Sequence, residues 1–398
     1  MLSRPGWNAH RVALVAVFVA NGMGLASWMP RIAEVKAAID LSDGQLGLAL
    51  LGTAVGSIIG AMTAGRWAAH RGSVLPTVLG GLGMAVALPL PGLATSGLAL
   101  GFALALIGFA DGTHDVAMNV NSLGVQRALG RSILHGLHAA WSFGAMLGAG
   151  LGAVAAGARV PVAVHLALAG MAIAVTMLLA RRFLRGDVGT TATVRDPGAS
   201  PLLRRLHWRM LIGPTGLLAL AAAGAAIVEA APAEWGSVYL SQSLGAGPGT
   251  SGAVVAVYLG GILVGRLMGD RLSDRFGPGA IVSGGAWIGA GGLVAGMLAG
   301  HPLSAMAGVA VLGLGVSVVF PTLFAAADQL PGRGAAAGVA VVGAVGRTGG
   351  LVGPVLIGGL AEMAGLPLAL GGVVAGTALI SGLLARRAAP VSMVAPPR

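Results

Sequence analysis

The feature that most constrains this chain is a succession of apolar runs, each about 20 residues long, that fill most of its 398 residues. A helix that crosses about 30 Å of hydrocarbon at about 1.5 Å per residue needs roughly 20 apolar residues. Lipid admits only helices or closed barrels, and the alternating strands of a barrel are missing from the sequence. The runs predict an all-α membrane protein with transmembrane helices near residues 11–29, 45–65, 74–93, 98–123, 134–156, 161–180, 214–231, 250–269, 279–299, 303–325, 336–359 and 366–385.

Charge is scarce, with 24 Lys and Arg, 13 Asp and Glu, and only 9% charged residues in all. A soluble domain carries roughly a quarter. This composition excludes a soluble enzyme, a disordered chain and a nucleic-acid-binding domain, so the partners we expect are the lipid bilayer, a small-molecule substrate and protons. The chain contains no cysteine, which excludes disulfides, thiolate metal sites and cysteine nucleophiles. We expect a monomer without cofactor, metal site or catalytic residue.

The positions of the positive charges predict the orientation of the helices, because Lys and Arg stay on the cytoplasmic side of short loops. If the N-terminus is cytoplasmic, most of the 24 cations fall on that side, Arg31, Lys36 and Arg159 fall outside, and Arg266 and Arg347 lie within spans. Both termini are therefore predicted to be cytoplasmic. A single lysine and the excess of Ala, Gly and Val indicate a GC-rich bacterial genome, and hence a multi-pass protein of the bacterial inner membrane.

The chain is predicted to consist of two related halves. A polar stretch at 183–209 separates six spans in 1–182 from six spans in 210–398. An offset of 205 residues superimposes glycines of the first half on glycines of the second, which indicates an internal repeat. The superimposed pairs include Gly56 with Gly261, Gly60 with Gly265, Gly108 with Gly313, Gly144 with Gly349 and Gly148 with Gly353. An even number of spans gives both copies the same direction, as in transporters whose site lies at the repeat interface.

A short loop after the eighth span carries a recognisable motif. Residues 269–277 read GDRLSDRFG, which resembles the signature loop of the major facilitator superfamily. The resemblance implies two bundles of six helices and a gating role for Asp274 and Arg275, with Arg271 beside them. The copy in the first half, GRWAAHRG at 65–72, departs from the pattern, because Ala69 and His70 stand where the acid and the arginine belong.

The fourth span resembles one branch of that superfamily. The run at 108–119, GFADGTHDVAMN, looks like the fucose-permease-like branch, in which an acid followed four residues later by Asn is associated with proton coupling. Asp115 and Asn119 match that pair. Residues 229–235, with Tyr239, show a looser similarity to the seventh helix of the same branch. The resemblance does not identify a substrate.

Ionisable groups within a span are costly and are therefore functional candidates. Asp115 lies about 18 Å along its helix from Arg127, near the midplane, and Asp111 shares its face. Arg347 is predicted either to pair with a carboxylate or to anchor an anionic group, Asn21 to bond a solute or another helix, and Arg266 to reach the cytoplasmic surface. The candidate proton-coupling residues are Asp111, Asp115 and His138, and the candidate substrate-binding residues are Asn21, Asn119, Trp141, Ser142, Glu229 and Arg347.

Three functions are compatible with these residues. A secondary active transporter that moves a small polar solute by alternating access, coupled to protons, fits them best, and export of an amphipathic metabolite or drug is the alternative within that class. The acidic pairs Asp111/Asp115 and Asp270/Asp274 have the spacing of an intramembrane prenyltransferase, but one pair is buried and the other lies beside arginines at the surface. A receptor or scaffold that moves nothing is the third.

Overall fold

The structure is a computed structural model that describes residues 7–129, 133–185, 213–329 and 335–388, and nearly all of these are helical. Its helices are α1 Trp7–Trp28, α2 Ile32–Ala38, α3 Asp43–Arg71, α4 Val74–Ala87, α5 Gly97–Leu129, α6 Leu134–Gly157, α7 Val162–Ala180, α8 Pro214–Gln242, α9 Pro248–Phe276, α10 Pro278–Leu298, α11 Pro302–Val316, α12 Val319–Asp328, α13 Ala335–Ala364 and α14 Leu366–Ala388. Two 3-10 turns, Met29–Arg31 and Leu90–Leu93, complete the described elements.

Twelve helical stretches among the described residues are long and apolar enough to cross a membrane. This confirms the predicted number of spans and the all-α fold class. Two spans contain more than one helix. The first runs from α1 through a 3-10 turn into α2, and the tenth consists of α11 and α12, which are separated at residues 317–318.

The C-terminal end of the first span differs from the prediction. Arg31 and Lys36 were expected in an exterior loop, yet both are buried, Arg31 in the 3-10 turn and Lys36 in α2. Arg31 donates from Nε and Nη2 to the carboxylate of Glu34 at 2.7 and 2.9 Å, and from Nη2 to the backbone oxygen of Val160 at 2.6 Å. These bonds compensate the charge and allow its burial.

The seventh span is longer than predicted. The predicted span ends at residue 231, just before Pro232, but α8 continues through this proline to Gln242. Proline removes one backbone donor, and packing against neighbouring helices can offset that loss within a membrane. Trp235, beyond the predicted end of the span, belongs to this helix and is fully buried.

The described residues group into two compact units. One lies within Met1–Leu41 and Leu48–Ser200, and the other within Ser42–Gly47 and Pro201–Arg398. Each unit contains six of the candidate spans, apart from the first turn of α3, which groups with the second unit. Most of the predicted linker at 183–209 lies outside the described residues, so its role as a boundary stays a prediction.

Glycines set the spacing of the helices within each unit. In the first unit, a Cβ atom at Gly56 would overlap the backbone oxygen of Ala105, and one at Gly144 would overlap that of Val19. Small residues allow this close backbone approach in lipid. As a result α5 is held against α3, and α6 against α1, which fixes the positions of the polar side chains that these helices carry.

Candidate functional site

A hydrogen-bonded network joins three helices of the first unit. Asn21 of α1 donates from Nδ2 to Oδ1 of Asp111 on α5 at 2.9 Å, and its Oδ1 accepts from Nε1 of Trp141 on α6 at 2.8 Å. Asn21 is buried, with 3% of its surface exposed. Of the two roles predicted for Asn21, the structure therefore contains the bond between helices. Its amide orients the Asp111 carboxylate and the Trp141 indole together.

The fourth span presents a second polar pair one turn further along. Asn119 donates from Nδ2 to Oδ1 of Asp115 at 3.0 Å and to the backbone oxygen of the same residue at 2.9 Å. Asp111, Asp115 and Asn119 are all half-buried and share one face of α5. The face predicted from the sequence spacing is therefore a continuous polar stripe on α5. Each acid in this stripe accepts a hydrogen bond from a side-chain amide.

Two further candidates lie on α6, on the same helix as Trp141. His138 is exposed, and its ring meets that of Phe18 on α1 edge to face, with centroids 5.6 Å apart. Ser142 is buried and donates to the backbone oxygen of His138 at 3.0 Å. The first unit therefore gathers Asn21, Asp111, Asp115, Asn119, His138, Trp141 and Ser142 on α1, α5 and α6.

The second unit contains an ion pair that the sequence did not predict. Arg266 of α9 donates from Nη2 to Oε1 of Glu229 on α8 at 3.1 Å, and each side chain is about one-third exposed. The hydroxyl of Tyr258, also on α9, donates to the backbone oxygen of Glu229 at 3.0 Å. The expectation that Arg266 reaches the cytoplasmic surface is wrong, because its guanidinium is held by a carboxylate between two helices.

Arg347 has a different environment. It lies on α13, twelve residues after the helix begins at Ala335, and is exposed. Within the described part of the chain it has no hydrogen bond and no ion pair. A helix rises about 1.5 Å per residue, so Arg347 lies about 18 Å from the start of α13, inside the candidate span Val341–Ala364. Among the described residues, no carboxylate pairs with Arg347.

A half-buried acid on α8, Glu234, is not among the site residues predicted from the sequence. The Oε2 atom of Glu234 and the indole nitrogen of the adjacent Trp235 are both buried without a hydrogen-bond partner among the described residues. Glu234 lies beyond residue 231, where the predicted span ends. The mostly apolar residues that follow as far as Leu240 are the sequence feature that could have placed Glu234 within the span.

The loop predicted to gate lies at the end of α9 and is exposed. Arg271, Asp274 and Arg275 all lie on the last turns of α9. The Arg275 guanidinium is 5.2 Å from the centre of the Phe276 ring. Asp274 has no hydrogen bond or ion pair within the described residues. The gating roles stay predictions.

Relatives in sequence cover nearly the entire chain. An uncharacterized MFS-type transporter of Yersinia pestis is 30% identical over 370 residues, which cover 92% of this chain and 93% of the relative. The chain belongs to the MFS-type transporters. The membrane protein MosC of Rhizobium meliloti is 28% identical over 371 residues, which cover 92% of this chain and 88% of MosC. No family model matches the chain.

Solved structures of transporters share the fold. The nucleoside transporter NupG superimposes with a TM-score of 0.73 at 14% identity, covering 96% of this chain and 98% of NupG. A D-xylose-proton symporter gives 0.72 at 13% identity, covering 95% and 97%. FucP in its outward conformation gives 0.61 at 18% identity, covering 95% and 98%. At these identities the likeness shows the fold alone.

The relatives decide between the classes of function that the sequence left open. This MFS-type transporter is a multi-pass membrane protein, not an intramembrane enzyme, so the spacing of Asp111 and Asp115 does not indicate a prenyltransferase. The network on α1, α5 and α6 of the first unit is one group of candidate transport residues, and the charged groups on α8, α9 and α13 of the second unit are another.

Proposed function

We propose that this MFS-type transporter moves a small polar solute across the bacterial inner membrane by alternating access, coupled to protons, with one chain as the working unit. We place it in the fucose-permease-like branch on the Asp115–Asn119 pair. We further propose that both termini are cytoplasmic and that Arg271, Asp274 and Arg275 take part in gating.

The observation that carries the proposal is the bond between Asn21 and Asp111. Asp111 has no ion pair among the described residues, and the partner that orients it is a neutral amide. An unpaired ionised carboxylate is costly in a low-dielectric environment, whereas the protonated form is not. Asp111 can therefore exchange a proton without breaking an ion pair.

The same bond offers a link between protonation and helix movement. Ionised Asp111 accepts from Asn21, and Asn21 in turn accepts from Trp141, so the carboxylate, the amide and the indole hold α5, α1 and α6 together. A proton on Asp111 adds a donor that needs an acceptor of its own. Protonation then changes the interaction between α1 and α5, which is what coupling a proton to alternating access requires.

The experiment that tests the proposal is transport in proteoliposomes. Purified protein is screened against sugars, nucleosides and organic acids with an imposed pH gradient, and the wild type is compared with Asp111→Asn and Asp115→Asn. We expect both variants to retain exchange of the transported solute but to lose accumulation driven by the gradient. Asp328→Asn, which removes an exposed acid at the end of α12, is the control. Unchanged accumulation in both test variants would rule out coupling through α5.

The absence of cysteine makes the proposed orientation easy to test. Ser96→Cys and Ser243→Cys introduce single thiols at positions expected outside, and Gln329→Cys introduces one expected in the cytoplasm. All three positions are exposed. A membrane-impermeant maleimide applied to intact cells should label the first two and leave the third unlabelled until the membrane is opened. The reverse pattern would invert the orientation.

A further inference from the structure

The repeat assigns the second unit a counterpart of the proton-coupling site, and its chemistry is different. The offset of 205 residues places Phe320 and Phe324 of α12 at the positions of Asp115 and Asn119. The two phenyl rings stack with their centroids 6.3 Å apart and their planes inclined by 26°, and both side chains are half-exposed. A pair of stacked aromatic rings thus replaces an acid and an amide.

The backbone beside these rings is interrupted. The fourth span is one continuous helix, α5, whereas its counterpart breaks at residues 317–318 between α11 and α12. The break lies about 22 Å along a span of 27 residues that begins at Pro302. Irregular backbone at this depth occurs where it is packed in protein or lines a cavity, and discontinuous helices mark binding sites in transporters.

A permanent positive charge lies on the neighbouring helix. Arg347 of α13 is exposed and has no carboxylate partner among the described residues, whereas Arg266 in the same unit is neutralised by Glu229. Arginine does not release its proton, so its charge within the candidate span Val341–Ala364 has to be balanced by another group. Arg347 is also the counterpart of Ser142 in the repeat.

Glycines on α13 lie between Arg347 and the two phenyl rings and leave space beside Arg347. A Cβ atom at Gly343, one turn before Arg347, would lie 3.5 Å from the ring of Phe324, and one at Gly346 would lie 3.6 Å from the ring of Phe320. A Cβ atom at Gly350 would meet nothing within 4 Å. Arg347 therefore stands on a glycine-lined face of α13 next to which both phenyl rings pack.

We propose that the second unit binds a small organic anion, a carboxylate that carries an apolar body. The carboxylate pairs with the Arg347 guanidinium, which offers two parallel donors to such a group. The apolar body packs against Phe320 and Phe324. This site deepens the proposed transport function and rests on it, because it defines the polar solute as an organic acid in its ionised form.

Thermal unfolding of the purified protein tests the site without requiring transport, because a ligand that binds the folded state raises the midpoint. The probes are phenylacetate, its neutral analogue phenylacetamide, acetate and inorganic phosphate. We expect phenylacetate to raise the midpoint well above the shift given by the other three. Arg347→Gln should weaken phenylacetate binding at least about tenfold, and Arg347→Lys should lose less. Arg386→Gln, which removes a cation from the last turn of α14, should behave as the wild type.

The phenyl rings provide a second measurement that keeps the proposal testable if Arg347→Gln fails to fold. Phe320→Ala and Phe324→Ala should weaken phenylacetate binding and leave the response to acetate unchanged. The proposal is overturned if phenylacetamide stabilises as well as phenylacetate, if no carboxylate stabilises the wild type, or if Arg347→Gln and the phenylalanine variants respond as the wild type does.

Transport separates this proposal from the function on which it rests. If proteoliposomes accumulate a neutral solute and Arg347→Gln abolishes only its dependence on the pH gradient, Arg347 is a coupling residue and the anion site is wrong while the transport function stands. If phenylacetate stabilises the wild type but not Arg347→Gln, and no solute is moved, the anion site stands and the proposed transport function fails.

Discussion

The same close packing of glycines against a neighbouring helix occurs inside each of the two units. The units differ in the polar and aromatic side chains that this packing positions. In the first unit, a Cβ atom at Gly56 would overlap the backbone oxygen of Ala105, and in the second one at Gly261 would lie 2.5 Å from that of Ala310. Both members of the second pair lie 205 positions after their counterparts in the first. The same relation links Gly108 and Thr53 with Gly313 and Tyr258.

The side chains on this common framework have diverged. The first unit uses neutral amides to orient acids, as in the contacts of Asn21 with Asp111 and of Asn119 with Asp115. The second unit has an ion pair between Glu229 and Arg266 and stacked rings where the first has an acid and an amide. Backbone packing constrains both copies and leaves the remaining positions free to specialise, as our proposals for proton coupling in the first unit and solute binding in the second require.

The largest effect on stability should come from the close glycine packing that occurs within each unit. Gly56→Ala and Gly261→Ala each add a methyl group where a backbone oxygen lies, so α3 must move from α5 and α9 from α11. Overpacking costs about 1–3 kcal/mol, against which alanine gains up to about 1 kcal/mol in helix propensity. We expect both variants to lower the midpoint of thermal unfolding, by similar amounts.

The matched controls make the same change where there is space. A Cβ atom at Gly150 in the first unit or Gly284 in the second would meet nothing within 4 Å. Gly150→Ala and Gly284→Ala should leave the midpoint unchanged or raise it. If only one of the two crowded glycines is sensitive, the packing is not equivalent in the two units.

The next effect concerns the ion pair between α8 and α9 of the second unit. Arg266→Gln and Glu229→Gln each remove one charge of the pair, whereas the double variant removes both charges. Because both side chains are about one-third exposed, we expect a coupling energy of about 1 kcal/mol from the double-mutant cycle, measured by thermal unfolding. If the destabilisation of the double variant equals the sum of the two single destabilisations, Arg266 and Glu229 are near each other without stabilising the unit.

Sequence patterns predicted the features that depend on composition and period. The number of spans follows from the lengths of the apolar runs, and the polar face of α5 follows from the four-residue spacing of Asp111, Asp115 and Asn119. The glycine offset likewise identified positions that do approach equivalent backbone atoms, because only glycine permits that distance in both copies.

Contacts between helices and breaks within them could not be predicted in this way. Glu229 and Arg266 lie on different helices, and their meeting depends on the rotation of each helix about its axis, which the apolar pattern of a helix embedded on all sides does not define. The continuation of α8 past Pro232 and the break at 317–318 have the same cause, since neighbouring helices decide whether a local disruption is tolerated.

A smaller effect is expected from the neutral network of the first unit. Asn21→Ala removes the partner of Asp111, and Trp141→Phe removes the indole donor to Asn21. Hydrogen bonds between helices in membranes contribute about 0.6 kcal/mol on average. We expect a double-mutant cycle on these two residues to give a coupling energy of that size, below the value for Glu229 and Arg266. A larger coupling in the first unit would reverse the ranking of charged and neutral contacts.

The smallest effect on stability should come from the loop that differs most clearly between the repeats. Asp274 of the second unit is exposed and has no hydrogen bond or ion pair within the described residues, and the first unit has no acid at the matching place. Asp274→Asn should therefore change the free energy of unfolding by less than about 0.5 kcal/mol. If Asp274 gates, the variant will nonetheless slow solute exchange in proteoliposomes while solute binding is retained, because a gating contact of Asp274 forms in only one access state.

The exposed acid Asp40 on the first unit provides the control, and Asp40→Asn should change neither the free energy of unfolding nor the rate of solute exchange. Exchange that is as slow in Asp40→Asn as in Asp274→Asn would indicate a general effect of surface charge and would exclude a specific gating role for Asp274.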